Sequence, residues 1–112
     1  MTGQPGFGQR LAESVRARGP LCAGIDPHPS LLRSWGLTED AGSLERFALT
    51  AVEALAGEVA VIKPQSAFFE VCGSAGIAVL EKVIEQSRQA GALVLLDVKR
   101  GDIGSTMAAY AS

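Results

Sequence analysis

The chain has 112 residues, of which 47% are hydrophobic and 20% charged, a composition typical of a globular domain and not of a disordered, collagen-like or coiled-coil sequence. Ten basic residues against twelve acidic ones give a formal net charge of −2, so a general nucleic-acid-binding surface is not expected. The longest apolar runs, such as residues 92–96, are far shorter than the roughly 20 residues of a membrane-spanning helix, so no membrane partner is expected.

The two ends of the sequence and its cysteines carry further expectations. The first residues, MTGQPGFGQR, lack the basic and apolar regions of a secretory signal, which predicts a cytoplasmic protein. Cys22 and Cys72 fall in predicted buried elements and are expected to be packed, reduced thiols. The last residues, MAAYAS, lie in a predicted helix with no stop signal, so we expect a chain that is truncated at its carboxyl terminus.

The first part of the chain predicts a helix, a strand and a second helix. A short helix ends before Gly19, and residues 21–25 form the first strand. Thr38 is the predicted N-cap of a helix that runs to about residue 56. The apolar residues of that helix recur at the spacing of one buried face: Leu44, Phe47, Ala48, Ala51, Val52 and Leu55.

The second predicted strand covers residues 59–62 and ends at Lys63, because Pro64 is expected to exclude a continuing central strand. A helical turn follows at residues 66–71.

The next helix is predicted over residues 74–90, with Gly91 at its carboxyl-terminal cap. Its apolar face is predicted to carry Ile77, Leu80 and Ile84. Residues 92–96 are apolar on both faces and form the third strand. Short strands separated by helices predict an α/β fold with a parallel sheet that is buried on both faces.

Each predicted strand leads into an ionisable residue: Asp26, Lys63, and then Asp97 and Lys99. In parallel α/β sheets ligands bind at the carboxyl ends of the strands. These four charges therefore predict a site at that edge, although strands also end in charged residues simply where they meet water.

The sequence DVKRGD is the densest cluster of charge. Asp97 and Lys99 lie two residues apart and so share a face of an extended strand, while Asp102 caps the next helix and Thr106 lies one turn further on. Neighbouring carboxylates hold a lysine as an ammonium, which suits Lys99 to protonating a carbanion and not to attacking a carbonyl. A solvated ion-pair network on a loop is the alternative.

Two aromatic residues receive structural interpretations. His28, the only histidine, is interpreted as a turn residue in preference to a ligand contact. Trp35 is interpreted as a packing anchor among neighbouring leucines.

Three segments, GIDPHPSLL, VIKPQSAFFE and LLDVKRGDIGSTMAAYA, resemble the orotidine 5′-phosphate decarboxylase family, in particular the bacterial type 2 branch with its GIDPHP loop. The resemblance runs from about residue 7 to residue 112. The pattern D-x-K-x-x-D is shared with related sugar-phosphate enzymes, whereas D-x-K-R-G-D-I-x-x-T indicates the orotidylate enzymes.

The resemblance implies a TIM (β/α)8 barrel, of which residues 1–112 form the amino-terminal portion with about three βα units. It implies an enzyme of pyrimidine synthesis that decarboxylates orotidine 5′-monophosphate to uridine 5′-monophosphate and CO2, without a metal or cofactor. It also implies a homodimer. Because barrels commonly bind phosphate with the loops after strands seven and eight, the phosphate site is expected outside these residues, and the chain alone is expected to be inactive.

The resemblance also implies a role for each matching residue. Asp26 would contact the ribose, and Lys63 would join a ribose hydroxyl to the charged network. Asp97 would face the carboxylate of the substrate, and the Lys99 ammonium would protonate ring carbon 6.

Three further residues take their roles from the family. Asp102 and Thr106 would reach across the dimer interface to the neighbouring site, and Ile103 would line the pyrimidine pocket. The alternatives are a magnesium-dependent 3-keto-gulonate-phosphate decarboxylase or hexulose-phosphate synthase, or a noncatalytic fragment.

Overall fold

A computed structural model describes residues 6–98 of the chain. Three parallel strands, each preceded by one or two helices, make up these residues, and the parallel α/β arrangement agrees with the prediction from the apolar pattern. In chain order the elements are α1 (Phe7–Arg18), β1 (Cys22–Ile25), α2 (Pro29–Ser34), α3 (Ala41–Leu55), β2 (Val61–Pro64), α4 (Ala67–Glu70), α5 (Gly73–Gln89) and β3 (Leu93–Val94).

The sheet has the order β1-β2-β3, so β2 is its central strand. Its register pairs Ile25 with Pro64 and Val61 with Leu93. The expectation that Pro64 would be excluded from a central strand is therefore wrong. Pro64 is the last residue of β2, and its carbonyl still accepts a hydrogen bond from the Asp97 N–H at 3.0 Å. Because a proline lacks only the donor, the end of a strand tolerates it.

The core lies between the sheet and the two long helices. The predicted apolar stripe of α3 is confirmed at the positions that are fully buried, Leu44, Phe47, Ala48 and Val52. For α5 the predicted face is wrong at Ile77, which is 38% exposed. The buried positions of α5 are Gly76, Val79, Leu80, Val83 and Ser87.

The buried face of α5 differs from the predicted one because of a close contact at Gly76. A Cβ at this position would lie 1.8 Å from the carbonyl oxygen of Phe69 in α4, so only glycine allows the two backbones to come this close. The contact turns the face with Gly76 inward and leaves Ile77 outside.

The N-cap of α3 is Asp40 and not the predicted Thr38. The Asp40 carboxylate accepts a hydrogen bond from the Ser43 N–H at 2.8 Å, and the Thr38 hydroxyl donates to the same carboxylate at 2.5 Å. The bond from Thr38, followed by the bond from Ser43, lowers the pKa of Asp40 below its usual value. Thr38 thus supports the cap through another side chain.

At the end of α5, Gly91 has a φ of 95°, as expected of a glycine after a helix.

Both cysteines are free thiols, but the predicted burial of Cys22 is wrong. In β1 only Ile25 is buried, so the prediction of a sheet that is buried on both faces is wrong for this strand within residues 6–98. Cys72 is half-buried, and burial and the charge of Asp40 raise the pKa of its thiol.

Trp35 packs against Phe47 with ring centroids 4.5 Å apart, although 51% of its surface is exposed.

Helix α1 is joined to the amino-terminal end of the sheet by polar contacts. The Arg18 guanidinium donates to the carbonyls of Ala56, Val59 and Ala90 at 2.6, 3.2 and 2.8 Å, and these residues precede β2 and β3. Ser14 donates to the carbonyl of Ala60 at 3.0 Å.

Between residues 6 and 98, no helix combines the length and the apolar character that crossing a membrane requires.

Candidate active site

The carboxyl-terminal edge of the sheet brings together Asp26, Lys63 and Asp97, as the sequence predicts. Asp26 follows β1 directly, Lys63 lies near the end of β2, and Asp97 lies three residues beyond β3. The N–H of Gln65 donates to the carbonyl of Ile25 at 3.1 Å, and Gln65 forms a parallel bridge with Asp97. The strand register therefore sets these side chains on adjacent strand ends.

Lys63 and Asp97 form an ion pair across two strands. The Lys63 Nζ lies 4.0 Å from Oδ2 of Asp97, and their side chains are 39% and 12% exposed. At this separation the Coulomb attraction is about 4 kcal/mol at an effective dielectric constant of about 20, before the cost of desolvation. The mostly buried carboxylate thus has a cation beside it that still reaches solvent.

The backbone of Asp97 is fixed to the end of β2. Its N–H donates to the carbonyl of Pro64 at 3.0 Å, and its carbonyl accepts from the N–H of Ser66 at 2.9 Å. These bonds continue the sheet ladder past the end of β3, so the position of the Asp97 carboxylate follows from backbone pairing.

Gln65 is a neighbour of this ion pair that the sequence analysis did not single out. Its side chain is buried, and Nε2 donates to Oδ2 of Asp97 at 3.3 Å. The available signal was its place in VIKPQ, immediately after a strand and beside Lys63. A pattern of ionisable residues does not include Gln65, because a neutral amide carries no charge.

Asp26 and His28 occupy the turn after β1. Oδ1 of Asp26 is buried and has no hydrogen-bond partner in the part of the chain that the structure describes, so it is an acceptor available to a donor group of a ligand. His28 lies at the N-cap of α2, as expected of a turn residue, and its ring packs against Phe68 with centroids 4.2 Å apart. The four remaining predicted site residues, Lys99, Asp102, Ile103 and Thr106, lie outside the described residues.

A cavity of about 560 Å³ lies away from this edge, along β3. Phe7, Arg10, Leu93 and Leu96 are among its lining residues, and none of the predicted site residues in the described part of the chain lines it. We assign the site to the charged strand ends, because the cavity borders a sheet edge that is unpaired within residues 6–98 and holds no cluster of catalytic groups.

Comparisons with known proteins identify the family of the chain. A sequence profile of the orotidine 5′-phosphate decarboxylase / HUMPS family matches residues 19–112. An orotidine 5′-phosphate decarboxylase from Salinispora arenicola is 70% identical over 106 residues, which cover 95% of this chain and 38% of that protein. One from Streptomyces coelicolor is 65% identical over 105 residues, covering 94% of this chain and 38% of that protein.

Two crystal structures show the same fold. A protein from Streptomyces avermitilis, described as an orotidine 5′-phosphate decarboxylase, matches with a TM-score of 0.83 and 64% identity over 99% of this chain and 39% of its own. One from Toxoplasma gondii, described as an orotidine-monophosphate decarboxylase, matches with a TM-score of 0.66 and 32% identity over 94% of this chain and 35% of its own.

The chain spans 38% of the length of the curated relatives named here. The βα units of residues 6–98 are therefore part of a TIM (β/α)8 barrel. The profile match over residues 19–112 and the charged strand ends lead to one assignment: the chain belongs to the orotidine 5′-phosphate decarboxylase / HUMPS family.

Proposed function

We propose that residues 1–112 are the amino-terminal portion of a single barrel domain that decarboxylates orotidine 5′-monophosphate to uridine 5′-monophosphate and CO2 in pyrimidine synthesis. The observation that carries the proposal is the Lys63–Asp97 pair on adjacent strand ends, in a chain that is 70% identical to a protein named orotidine 5′-phosphate decarboxylase. The expected compartment is the cytoplasm, where free thiols such as Cys22 and Cys72 stay reduced.

Substrate binding begins at the strand ends. The unpartnered Oδ1 of Asp26 accepts a hydrogen bond from a ribose hydroxyl. Lys63 joins another hydroxyl to the charged network through its 4.0 Å approach to Asp97. The phosphate is bound by parts of the barrel beyond residue 112, and remote phosphate binding offsets the cost of orienting the ring at the reacting carbon.

The chemical step breaks one carbon–carbon bond. The carboxylate of the substrate leaves as CO2, and the bonding electron pair remains on ring carbon 6. The Lys99 ammonium stabilises this carbanion and then donates its proton to it, giving uridine 5′-monophosphate, and the neutral amine recovers a proton from solvent. Asp97 faces the departing carboxylate, and the repulsion between the two is relieved as CO2 forms.

The proposed enzyme is a homodimer with shared sites. Asp102 and Thr106 reach the ribose bound by the neighbouring subunit, and Ile103 lines the pyrimidine pocket. The support for these roles is the match of DVKRGDIGST to the family pattern.

A chimera tests the proposal. Residues 1–112 are joined to the remaining part of the Salinispora arenicola relative, and turnover is followed by the loss of orotidylate absorbance. We expect the parent chimera to be active and Asp97→Asn to lower kcat/KM by about 100-fold or more, because a preorganised charge is lost. Glu53→Gln, on the exposed side of α3, is the matched carboxylate control and should leave the rate unchanged. Full activity of Asp97→Asn would contradict the proposal.

Metal dependence separates the proposal from the magnesium-dependent enzymes of the same family. If the chimera carries out the orotidylate reaction, its decarboxylation rate should be the same with and without a chelator. Loss of activity in the chelator and its return with Mg²⁺, together with turnover of a sugar phosphate, would favour the alternative.

A further inference from the structure

We infer that Gln65 is a further residue of this active site, with one amide that does two things: Nε2 orients the Asp97 carboxylate, and Oε1 accepts a hydrogen bond from the bound nucleotide. The inference rests on the proposed function, because Asp97 and the nucleotide define the site.

The first contact is with Asp97. Nε2 of Gln65 donates to Oδ2 at 3.3 Å, and the same oxygen lies 4.0 Å from Nζ of Lys63. One carboxylate oxygen is therefore held from two directions, by a neutral donor within the fold and by a cation that reaches solvent. Gln65 is 6% exposed, and its backbone pairs with that of Asp97 in a parallel bridge. The side-chain amide of Gln65 therefore has little freedom to move away from the Asp97 carboxylate.

The second contact is unfilled. Oε1 of Gln65 is buried and has no hydrogen-bond partner among residues 6–98. The hydrogen bond to Asp97 fixes the amide orientation, because a flipped amide would place its oxygen against a carboxylate oxygen. A buried acceptor without a donor destabilises the protein, so an orphan beside a candidate active site indicates that a ligand supplies the donor.

A neighbouring orphan points the same way. Oδ1 of Asp26 is also buried and unpartnered, and it lies on the adjacent strand end, where the Gln65 N–H bonds to Ile25. Two unpartnered acceptors on adjacent strand ends match a ligand with several donors. A nucleotide has them in its ribose hydroxyls and its ring N–H.

Two substitutions in the chimera separate the two roles. Gln65→Met keeps the length of the side chain and removes both donor and acceptor. Gln65→Glu keeps an acceptor oxygen but removes the donor and places like charge beside Asp97. Gln86→Met, on the exposed side of α5, is the matched control. The measurements are kcat, the Kd of uridine 5′-monophosphate by calorimetry, and the melting temperature.

We expect Gln65→Met to lower kcat and to raise the Kd of uridine 5′-monophosphate, each by about tenfold, as loss of a buried hydrogen bond would. Gln65→Glu should lower kcat by a similar factor and leave that Kd within about threefold of the parent, since its oxygen still accepts. Gln86→Met should match the parent in both. A residue that only supported the fold would change the melting temperature without this separation of kcat from Kd.

Three outcomes would overturn the inference. An active chimera in which Gln65→Met matches the parent in kcat and Kd removes both roles and leaves the proposed function standing. Equal loss of nucleotide affinity in Gln65→Glu and Gln65→Met removes the acceptor role. A folded parent chimera that neither decarboxylates the substrate nor binds the product overturns the proposed function, and this inference with it.

Discussion

Asp40 shows how a single side chain sets the start of a helix. Its carboxylate is exposed, yet the hydroxyl of Thr38 and the N–H of Ser43 both donate to it, and these bonds hold its pKa below the usual value. Since the folded state favours the charged form, the resulting stability is present above the pKa of the unfolded chain. It is lost as the pH falls through the lowered pKa.

We therefore expect Asp40→Ala to lower the melting temperature of the chimera by a few degrees at pH 7, as loss of a helix cap does. The difference should shrink as the pH falls below the usual carboxyl pKa of about 4, because protonation of the parent carboxylate removes this extra stability. Asp40→Asn keeps an acceptor for Ser43, so its loss at pH 7 should be smaller than that of Asp40→Ala. This loss should also shrink as the pH falls, because the parent carboxylate titrates and neither variant does. Thermal melts between pH 3 and pH 7 measure this, and a constant difference for Asp40→Ala would contradict it.

At the residue scale the sequence predicted which charged residues lie at one edge of the sheet, but it did not single out Gln65. Asp26, Lys63 and Asp97 follow apolar strands, and the parallel register brings them to one edge, so pattern alone located them. Gln65 carries no charge, and its importance comes from burial and from its contact with Asp97. Such contacts between strands depend on packing, which a residue pattern does not contain.

At the element scale, the close approach of α4 and α5 depends on Gly76. The Cβ of an alanine here would meet the carbonyl carbon and oxygen of Phe69, and backbone atoms cannot swing aside as a flexible side chain can. Gly42, in α3, has only ordinary contacts at its Cβ position, with Asp40 Oδ1 at 3.5 Å.

Two glycine-to-alanine substitutions in helices should therefore have opposite effects. Gly76→Ala should reduce the free energy of unfolding by about 1–3 kcal/mol or more through overpacking. Gly42→Ala should increase it by about 0.5–1 kcal/mol through helix propensity. Denaturant unfolding of the chimera measures both. A neutral Gly76→Ala would show that α4 and α5 are not held as close as the structure has them.

The order of the elements could be read from the sequence, whereas their ends and faces could not always be. Apolar periodicity identified α3, α5 and three parallel strands, because burial on a sheet requires it. The errors at Thr38, Pro64 and Ile77 share one cause. Each depends on a local contact that the apolar pattern does not contain. These contacts are the hydrogen bonds of the Asp40 cap, the bond accepted by the Pro64 carbonyl, and the close approach of Gly76 to Phe69.

At the scale of the whole molecule, the chain presents sheet edges that a complete barrel would pair. Among residues 6–98, β1 and β3 each pair only with β2. Beside β3, Leu95, Leu96 and Val98 are 49%, 38% and 50% exposed. An exposed apolar strand edge favours pairing with other chains.

We therefore expect residues 1–112 alone to be inactive and to self-associate, while the chimera is soluble and active. Size-exclusion chromatography, circular dichroism during heating and the decarboxylation assay compare the two. A monomeric 112-residue chain with a cooperative melt and measurable turnover would contradict this expectation. If adding the rest of the barrel as a separate polypeptide restores no activity while the covalent chimera is active, covalent continuity is required.

The contacts of Arg18 place the anchorage of α1 at the opposite end of the strands from Lys63 and Asp97. The contacts that hold α1 in place and the candidate active site therefore lie at opposite ends of the sheet. Mutations in α1 should shorten the lifetime of the folded state while the turnover of each intact molecule stays constant. Substitutions in this part of the barrel can accordingly change its thermal stability while the geometry of the charged strand ends stays the same.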